Sequence, residues 1–263
     1  MRPLQFLLTF CICAALGGSP FAQSAPAELT PLETREAAKG WEAVGRLDID
    51  DAGFCTATLV REDLILTAAH CVYERDGTPI ARERFRFQAG LRDGRALADR
   101  TISRIMAHPA YAESDADWPQ DKMAHDLALL TLNQPIRFAG IDPIPLSPDA
   151  YPGDHVAIVS YGGSRAEFPS LQADCALTDK AKGVLVMDCA AERGTSGAPV
   201  LRLSQGRPRV VGIVAAIADL GAEPISLAVP MHANIDGLLD LLGGGDAATE
   251  PSRNDTGAKF IRP

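Results

Sequence analysis

The sequence has no Cys-x-x-Cys pair, no run of basic residues, no internal repeat and no apolar stretch longer than the one near its start. Each absence removes a class of protein. Without paired cysteines at ligand spacing there is no sign of a structural zinc site. Without a basic run, and with 34 acidic against 25 basic residues for a formal charge of −9, the chain is a poor candidate for gripping phosphate backbones. The opening apolar run, Leu4–Leu16 broken only by Gln5 and Thr9, is too short to span a bilayer. It follows Arg2 and precedes the small residues Ala22, Ser24, Ala25 and Ala27, the pattern of a signal peptide. Residues 1–22 are therefore read as that signal, with cleavage as late as residue 27, and the chain as exported to the periplasm or the medium.

Cleavage removes Arg2, taking the charge to −10, and removes Cys11 and Cys13, leaving Cys55, Cys71, Cys175 and Cys189. An even number of cysteines in an exported chain predicts two disulfides. Three connectivities exist, and the local pairs Cys55–Cys71 and Cys175–Cys189 fit best. Each closes a loop of about 15 residues and stabilises by roughly 3 kcal/mol.

What is present is mostly short β-like runs bounded by turn residues. After an Ala/Pro/Glu-rich segment, 23–40, which reads as a propeptide or a surface strap, strands are predicted near Ala43–Leu47, Phe54–Val60, Leu64–Thr67, Phe85–Ala89, Ile102–Ala107 and Leu127–Leu132. A second set follows near Val156–Ser160, Cys175–Thr178, Val184–Met187, Pro199–Leu203, Val210–Ala216 and Ser226–Val229. Six strands on either side of the Pro-rich join Asn133–Pro148 predict an all-β protein of two tandem six-stranded antiparallel β-barrels, 41–140 and 141–230. The polar stretch Tyr111–Lys122 reads as a surface loop. One helix is expected, 231–242, whose Ile235, Leu238, Leu239 and Leu242 form an apolar stripe; Gly243-Gly-Gly245 is expected to end it, and 243–263 to be a mobile tail.

Three strings carry chemistry: Thr67-Ala-Ala-His-Cys71, His125-Asp-Leu-Ala-Leu-Leu130 and Glu192-Arg-Gly-Thr-Ser-Gly-Ala-Pro-Val200. A serine between glycines suits a nucleophile on a tight, open turn whose amide N–H groups can face a developing oxyanion. Such a serine needs a base, and the base needs an orienting carboxylate. His70, Asp126 and Ser196 supply them in that order. An α/β-hydrolase wants Gly-x-Ser-x-Gly at a strand-to-helix turn with its partners afterwards. Here Ala198 stands at the last glycine, a strand follows, and the partners precede. His108, His125, His155 and His232 read as flanking, surface or satisfied core residues rather than ligands.

Together with Cys55-Thr-Ala-Thr-Leu-Val60 and Val211-Gly-Ile-Val214, these strings resemble the chymotrypsin-like serine endopeptidases over roughly Trp41–Leu242. The spacing of 16 residues from Cys55 to Cys71 matches that family's histidine loop. The resemblance implies a chymotrypsin-like fold with His70 as base then acid, Asp126 fixing its tautomer, Ser196 as nucleophile, and the N–H groups of Gly194 and Ser196 as oxyanion hole. It implies a polypeptide substrate and no metal or cofactor, while the charge and the short apolar run already argue against a nucleic-acid or membrane partner.

The chain also departs from the pattern. Thr195 precedes the serine where trypsin-type members carry an aspartate that pairs with a freed amino terminus, and no Ile-Val-Gly-Gly precedes Trp41. Trp41-Glu-Ala-Val-Gly-Arg46 is similar to the entry of bacterial glutamyl-endopeptidase-like members, whose specificity histidine is replaced by Val214. Ala190 supplies no counter-charge for Arg or Lys, Ala215 replaces a serine that bonds the triad aspartate, and Ile217 replaces a glycine on the pocket wall. These residues predict a small or apolar side chain before the scissile bond, with Arg193 favouring an acidic one instead. A catalytically silent homologue that binds a partner in the same cleft is the alternative class.

Overall fold

The computed structural model describes residues 28–112, 120–147, 150–204, 206–219, 224–231 and 235–246. The signal-peptide segment with Cys11 and Cys13, His232, and the chain beyond 246 lie outside the described residues. No helix among the described residues is long and apolar enough to cross a membrane.

A short strand, β1 (Leu29–Pro31), precedes two closed six-stranded antiparallel barrels. The first contains β2 (Val44–Ile49), β3 (Gly53–Arg61), β4 (Leu64–Thr67), β5 (Phe85–Ala89), β6 (Ala98–Ala107) and β7 (Ala128–Leu132), closed in the order β2-β3-β4-β7-β6-β5. Its interior is filled by Leu47, Leu59, Ile65, Phe85, Phe87 and Leu130, all essentially inaccessible. Each such side chain contributes about 1.5–3 kcal/mol on leaving water. The filling is tight enough that a Cβ on Gly45 would lie 2.4 Å from the Phe87 ring, so that strand position needs glycine.

Two single helical turns, α1 (Pro109–Ala112) and α2 (Gln120–Met123), occupy part of the stretch expected to be plain loop. Four residues are too few to show a helical period, which is why the pattern missed them.

The second barrel contains β8 (His155–Gly162), β9 (Arg165–Ala181), β10 (Val184–Met187), β11 (Pro199–Ser204), β12 (Arg207–Asp219) and β13 (Pro224–Pro230). The sheet order is β1-β9-β10-β13-β12-β11-β8, and β8 also pairs with β9, which closes it. In β8, alternation sorts side chains between two cores. Val156 and Ile158 point into the second barrel, while Ala157 and Val159 join the core shared with the first. In β12 Ile213 and Ala215 join the shared core and Val214 the second barrel, while the register shift that leaves Val211 unpaired against β11 puts that residue with Val214 although it is two from Ile213. Strands buried on both faces read as continuous apolar runs. The strand β9, 17 residues long, extends far beyond the Cys175–Thr178 core predicted. Its first part pairs with β1 and β8 and its end with β10, through register shifts at Val156/Ile158, Ser160/Gly162 and Val186/Met187.

The terminal helix α3 spans Ile235–Asp246, starting later than expected and including Gly243–Gly245 instead of ending at them. Ile235, Leu238 and Leu242 are buried, and Arg104 on β6 donates to the Leu242 carbonyl (3.2 Å), tying the helix end to the first barrel.

Candidate active site

The register of β4 and β7 brings the first two predicted residues together. Thr67 lies opposite Ala128, so the segments leaving β4 and entering β7 emerge side by side, one carrying His70 and the other Asp126. His70 sits on a 3-10 turn, Ala69–Val72, and its backbone N–H donates to Asp126 Oδ1 at 2.7 Å. Asp126 Oδ2 lies 2.6 Å from His70 Nδ1. An ionised carboxylate only accepts, so Nδ1 carries the proton and Nε2 is left as the acceptor. Asp126 is 4% exposed, and with so little solvent around it the pair is weakly screened. Burial lowers the imidazole pKa, but the charge and hydrogen bond of Asp126 outweigh it, and the net shift is upward from 6.5.

The same corner holds Tyr111, which the sequence placed only in a surface loop. The Tyr111 phenol is pushed well above its usual pKa, first by burial and then by Asp126. Its ring centroid lies 5.6 Å from that of Tyr73 and 4.8 Å from Lys122 Nζ. His108 and His125 stack at 4.6 Å, and burial, then His125, lowers the pKa of His108. His155 pairs with Asp174 (2.6 Å) on the surface. Cys55, His70 and Cys71 cluster closely enough to suggest a metal site, but the two sulfurs are joined, so no thiolate pair is on offer. The disulfides are the local pairs, Cys55–Cys71 and Cys175–Cys189.

The turn 192–197 carries Ser196 against this corner from the second barrel. Gly194 and Gly197 have φ of +97° and +77°, where a side chain is strained. A Cβ on Gly194 would meet Phe54 at 2.5 Å; on Gly197 it would meet Thr67 Oγ1 at 2.1 Å, the Thr56 carbonyl at 2.4 Å and Ala68 N at 2.9 Å. The serine turn therefore packs on the segment leading directly into His70. Thr56, fully buried on β3, fastens the contact. Its N–H donates to the Ser196 carbonyl (2.9 Å), its hydroxyl to the Gly194 carbonyl (2.8 Å), and it accepts the Tyr161 N–H (3.0 Å). Nothing in the sequence singled out this threonine.

Among the described residues, no acceptor takes the N–H of Gly194 or Ser196. The Arg193 carbonyl accepts the Gly163 N–H at 2.7 Å. In a trans peptide the C=O and N–H point opposite ways, so this bond turns the Gly194 N–H away from Gly163. Ser196 is half-buried. Among the described residues no hydrogen bond joins its hydroxyl to His70 Nε2; the two are brought toward each other only through the packing of Gly197 on Thr67 and Ala68, and a hydroxyl beside two unpaired N–H groups with an imidazole acceptor on the adjoining segment could attack a carbonyl carbon.

The remaining predicted positions are divided between the serine turn with its approach and strand β12. Ala190 and Arg193 are exposed, Ala215 is buried at the bulge between Val214 and Ala216, and Ile217 is 45% exposed. Opposite Ile217 across the β12–β13 ladder is Ser226, fully buried and donating to the Cys189 carbonyl (2.7 Å), a residue with no motif around it to mark it out.

A family model described as the trypsin-like peptidase domain matches residues 55–213. A solved structure of a Glu endopeptidase in complex with MPD is similar with a TM-score of 0.67 at 17% identity, covering 85% of this chain and 98% of that one. An inactivated protease paralogue of the scabies mite, S-D1, is similar with a TM-score of 0.61 at 15% identity, covering 86% and 99%. At such identities these two likenesses speak to the fold.

Proposed function

Because the chain belongs to the trypsin-like peptidase family, we propose that it is an exported serine endopeptidase that cleaves polypeptides through an acyl-enzyme, with His70, Asp126 and Ser196 as its triad. The observation that carries this reading is the two-point seating of Asp126 on the backbone and ring of His70, at 2.7 and 2.6 Å. Held so, the imidazole presents Nε2 to the Ser196 hydroxyl, takes its proton as the oxygen attacks, and returns it to the leaving amine. Asp126 stabilises the imidazolium that forms between the two steps. The N–H groups of Gly194 and Ser196 receive the oxyanion. Water then repeats the sequence to release the acyl group.

Export is supported by the amino-terminal pattern and by two disulfides, which persist in oxidising compartments. For specificity, the side chain of Ile217 and the uncharged Ala190 favour a small or apolar residue before the scissile bond, and exposed Arg193 favours an acidic one. Cleavage of a peptide library distinguishes these, and robust cutting after Lys overturns both.

The decisive test is a fluorophosphonate probe with mass mapping of the adduct. The wild-type protein is expected to label at Ser196, and Ser196→Ala to lose both labelling and on the order of 10⁶ in peptide turnover. Folded protein that resists the probe and cleaves nothing would instead be a binding homologue, the reading that Thr195, Ala215 and Ile217 favour.

A further inference from the structure

We propose that Arg165 and Glu192 are positioning residues that hold the serine turn in its oxyanion-accepting form, an inference that rests on the endopeptidase reading. Arg165, the first residue of β9, is 9% exposed, and its Nε lies 3.0 Å from Glu192 Oε1. Its other nitrogens donate to the Ser160 hydroxyl (3.0 Å) and the Ser160 carbonyl. The Ser164 hydroxyl lies 2.9 Å from each oxygen of the same carboxylate. Glu192 also lies flat on Gly162, where an added Cβ would be 2.0 Å from its Oε1. The turn 162–165 thus wraps the Glu192 side chain from one side by contact and from the other by charge and hydrogen bonds.

The backbone of Glu192 completes the connection to the reacting groups. Its carbonyl accepts the Thr195 N–H (3.0 Å), and its N–H donates to the Thr195 hydroxyl (3.3 Å), closing a two-way staple across the residues between. Between those staples lies the Arg193–Gly194 peptide, whose orientation is fixed by the bond from Gly163 N–H. Were the turn 162–165 to move, that bond would be lost and the peptide could rotate, presenting a carbonyl oxygen where the oxyanion needs a donor. Thr195 is buried and uncharged, so it offers no ionic anchor of its own. The charge pair at this turn instead joins Glu192, three residues before Thr195, to Arg165 at the start of β9, so both partners come from the second barrel.

Neither partner is easily vacated. The Arg165 guanidinium has its pKa lowered by burial, against which Glu192 acts to raise it, so removing Glu192 would strand a desolvated cation. The pair stays closed without any cleavage of the chain, which makes competence of the turn independent of a newly released amino terminus.

The test compares Arg165→Met, Arg165→Lys and Glu192→Gln with the wild-type protein by hydrogen–deuterium exchange and by steady-state hydrolysis of a peptide amide. Arg165→Met and Glu192→Gln are expected to speed exchange at least tenfold in peptides covering 190–197, with the strands 155–160 and 210–214 still protected. The same variants should lower kcat on the order of 10²-fold or more, as loss of one oxyanion donor does, with KM within about threefold. Inhibition by a peptide boronate should weaken in parallel, and Arg165→Lys should restore part of kcat. Unchanged exchange at 190–197, or kcat held with only KM altered, overturns the proposal. So does loss of protection throughout both variants, which would make the pair a determinant of the fold. If the wild-type protein neither labels nor cleaves, the endopeptidase reading fails, and the exchange data alone still decide whether this pair orders the turn.

Discussion

Replacing Gly197 by alanine tests the contact between the barrels most directly. Two penalties add. At φ +77° a side chain costs about 1–2 kcal/mol in backbone strain. The new methyl would also lie 2.1 Å from Thr67 Oγ1 and 2.4 and 2.9 Å from the backbone of Thr56 and Ala68, and since two of these are main-chain atoms the neighbours cannot simply rotate away. Overpacking of that kind costs a further 1–3 kcal/mol, for about 2–5 kcal/mol in total. In a chain of this size each kcal/mol moves Tm by about 2–4 °C, so a fall of about 4–20 °C is expected by scanning calorimetry. Gly77 is the control: its φ is +84° but an added Cβ meets nothing within 4 Å, so Gly77→Ala pays only the first penalty. The variant at 197 should also label more slowly with a fluorophosphonate, because the serine turn must retreat from the histidine loop. Equal Tm shifts for the two variants, with unchanged labelling at 197, would refute the close approach.

Two other outcomes are expected. Asp126→Asn should lower kcat by about 10⁴-fold, and it removes the cause of the raised His70 pKa. The base works only when neutral, so wild-type kcat/KM should fall as pH drops through that raised value, and in the variant this acid limb should move to lower pH; a stationary limb contradicts the assignment. Removing the Cys55–Cys71 bridge, separation 16, should cost about 3 kcal/mol in chemical denaturation, and a loss well below 1 kcal/mol would show that the histidine loop is held without it.

The strands that the sequence located without error, Leu64–Thr67, Phe85–Ala89 and Val184–Met187, are compact runs with turn residues close by. For β9 the reading failed because Pro169 and several charged residues break the alternation, while the strand changes partners along its length and so has no single buried face. The three chemical strings were legible because each carries its pattern within a few residues. Thr56 was not: its value lies in partners 138 and 105 positions away, Gly194 and Tyr161, and a lone buried threonine in a strand looks like any other. Arg165 and Glu192 likewise look like solvent-facing charges until the folding of 162–165 over the carboxylate brings them together.

Thr56 has a wider consequence. The peptide bearing Ser196 is encoded with one half of the molecule yet rests on the other, so neither half alone could house the proposed reaction. A fragment holding only the later strands would keep the hydroxyl but lose the wall that gives it direction. A change along that seam, even one that touches no substrate, is therefore expected to reach the proposed nucleophile.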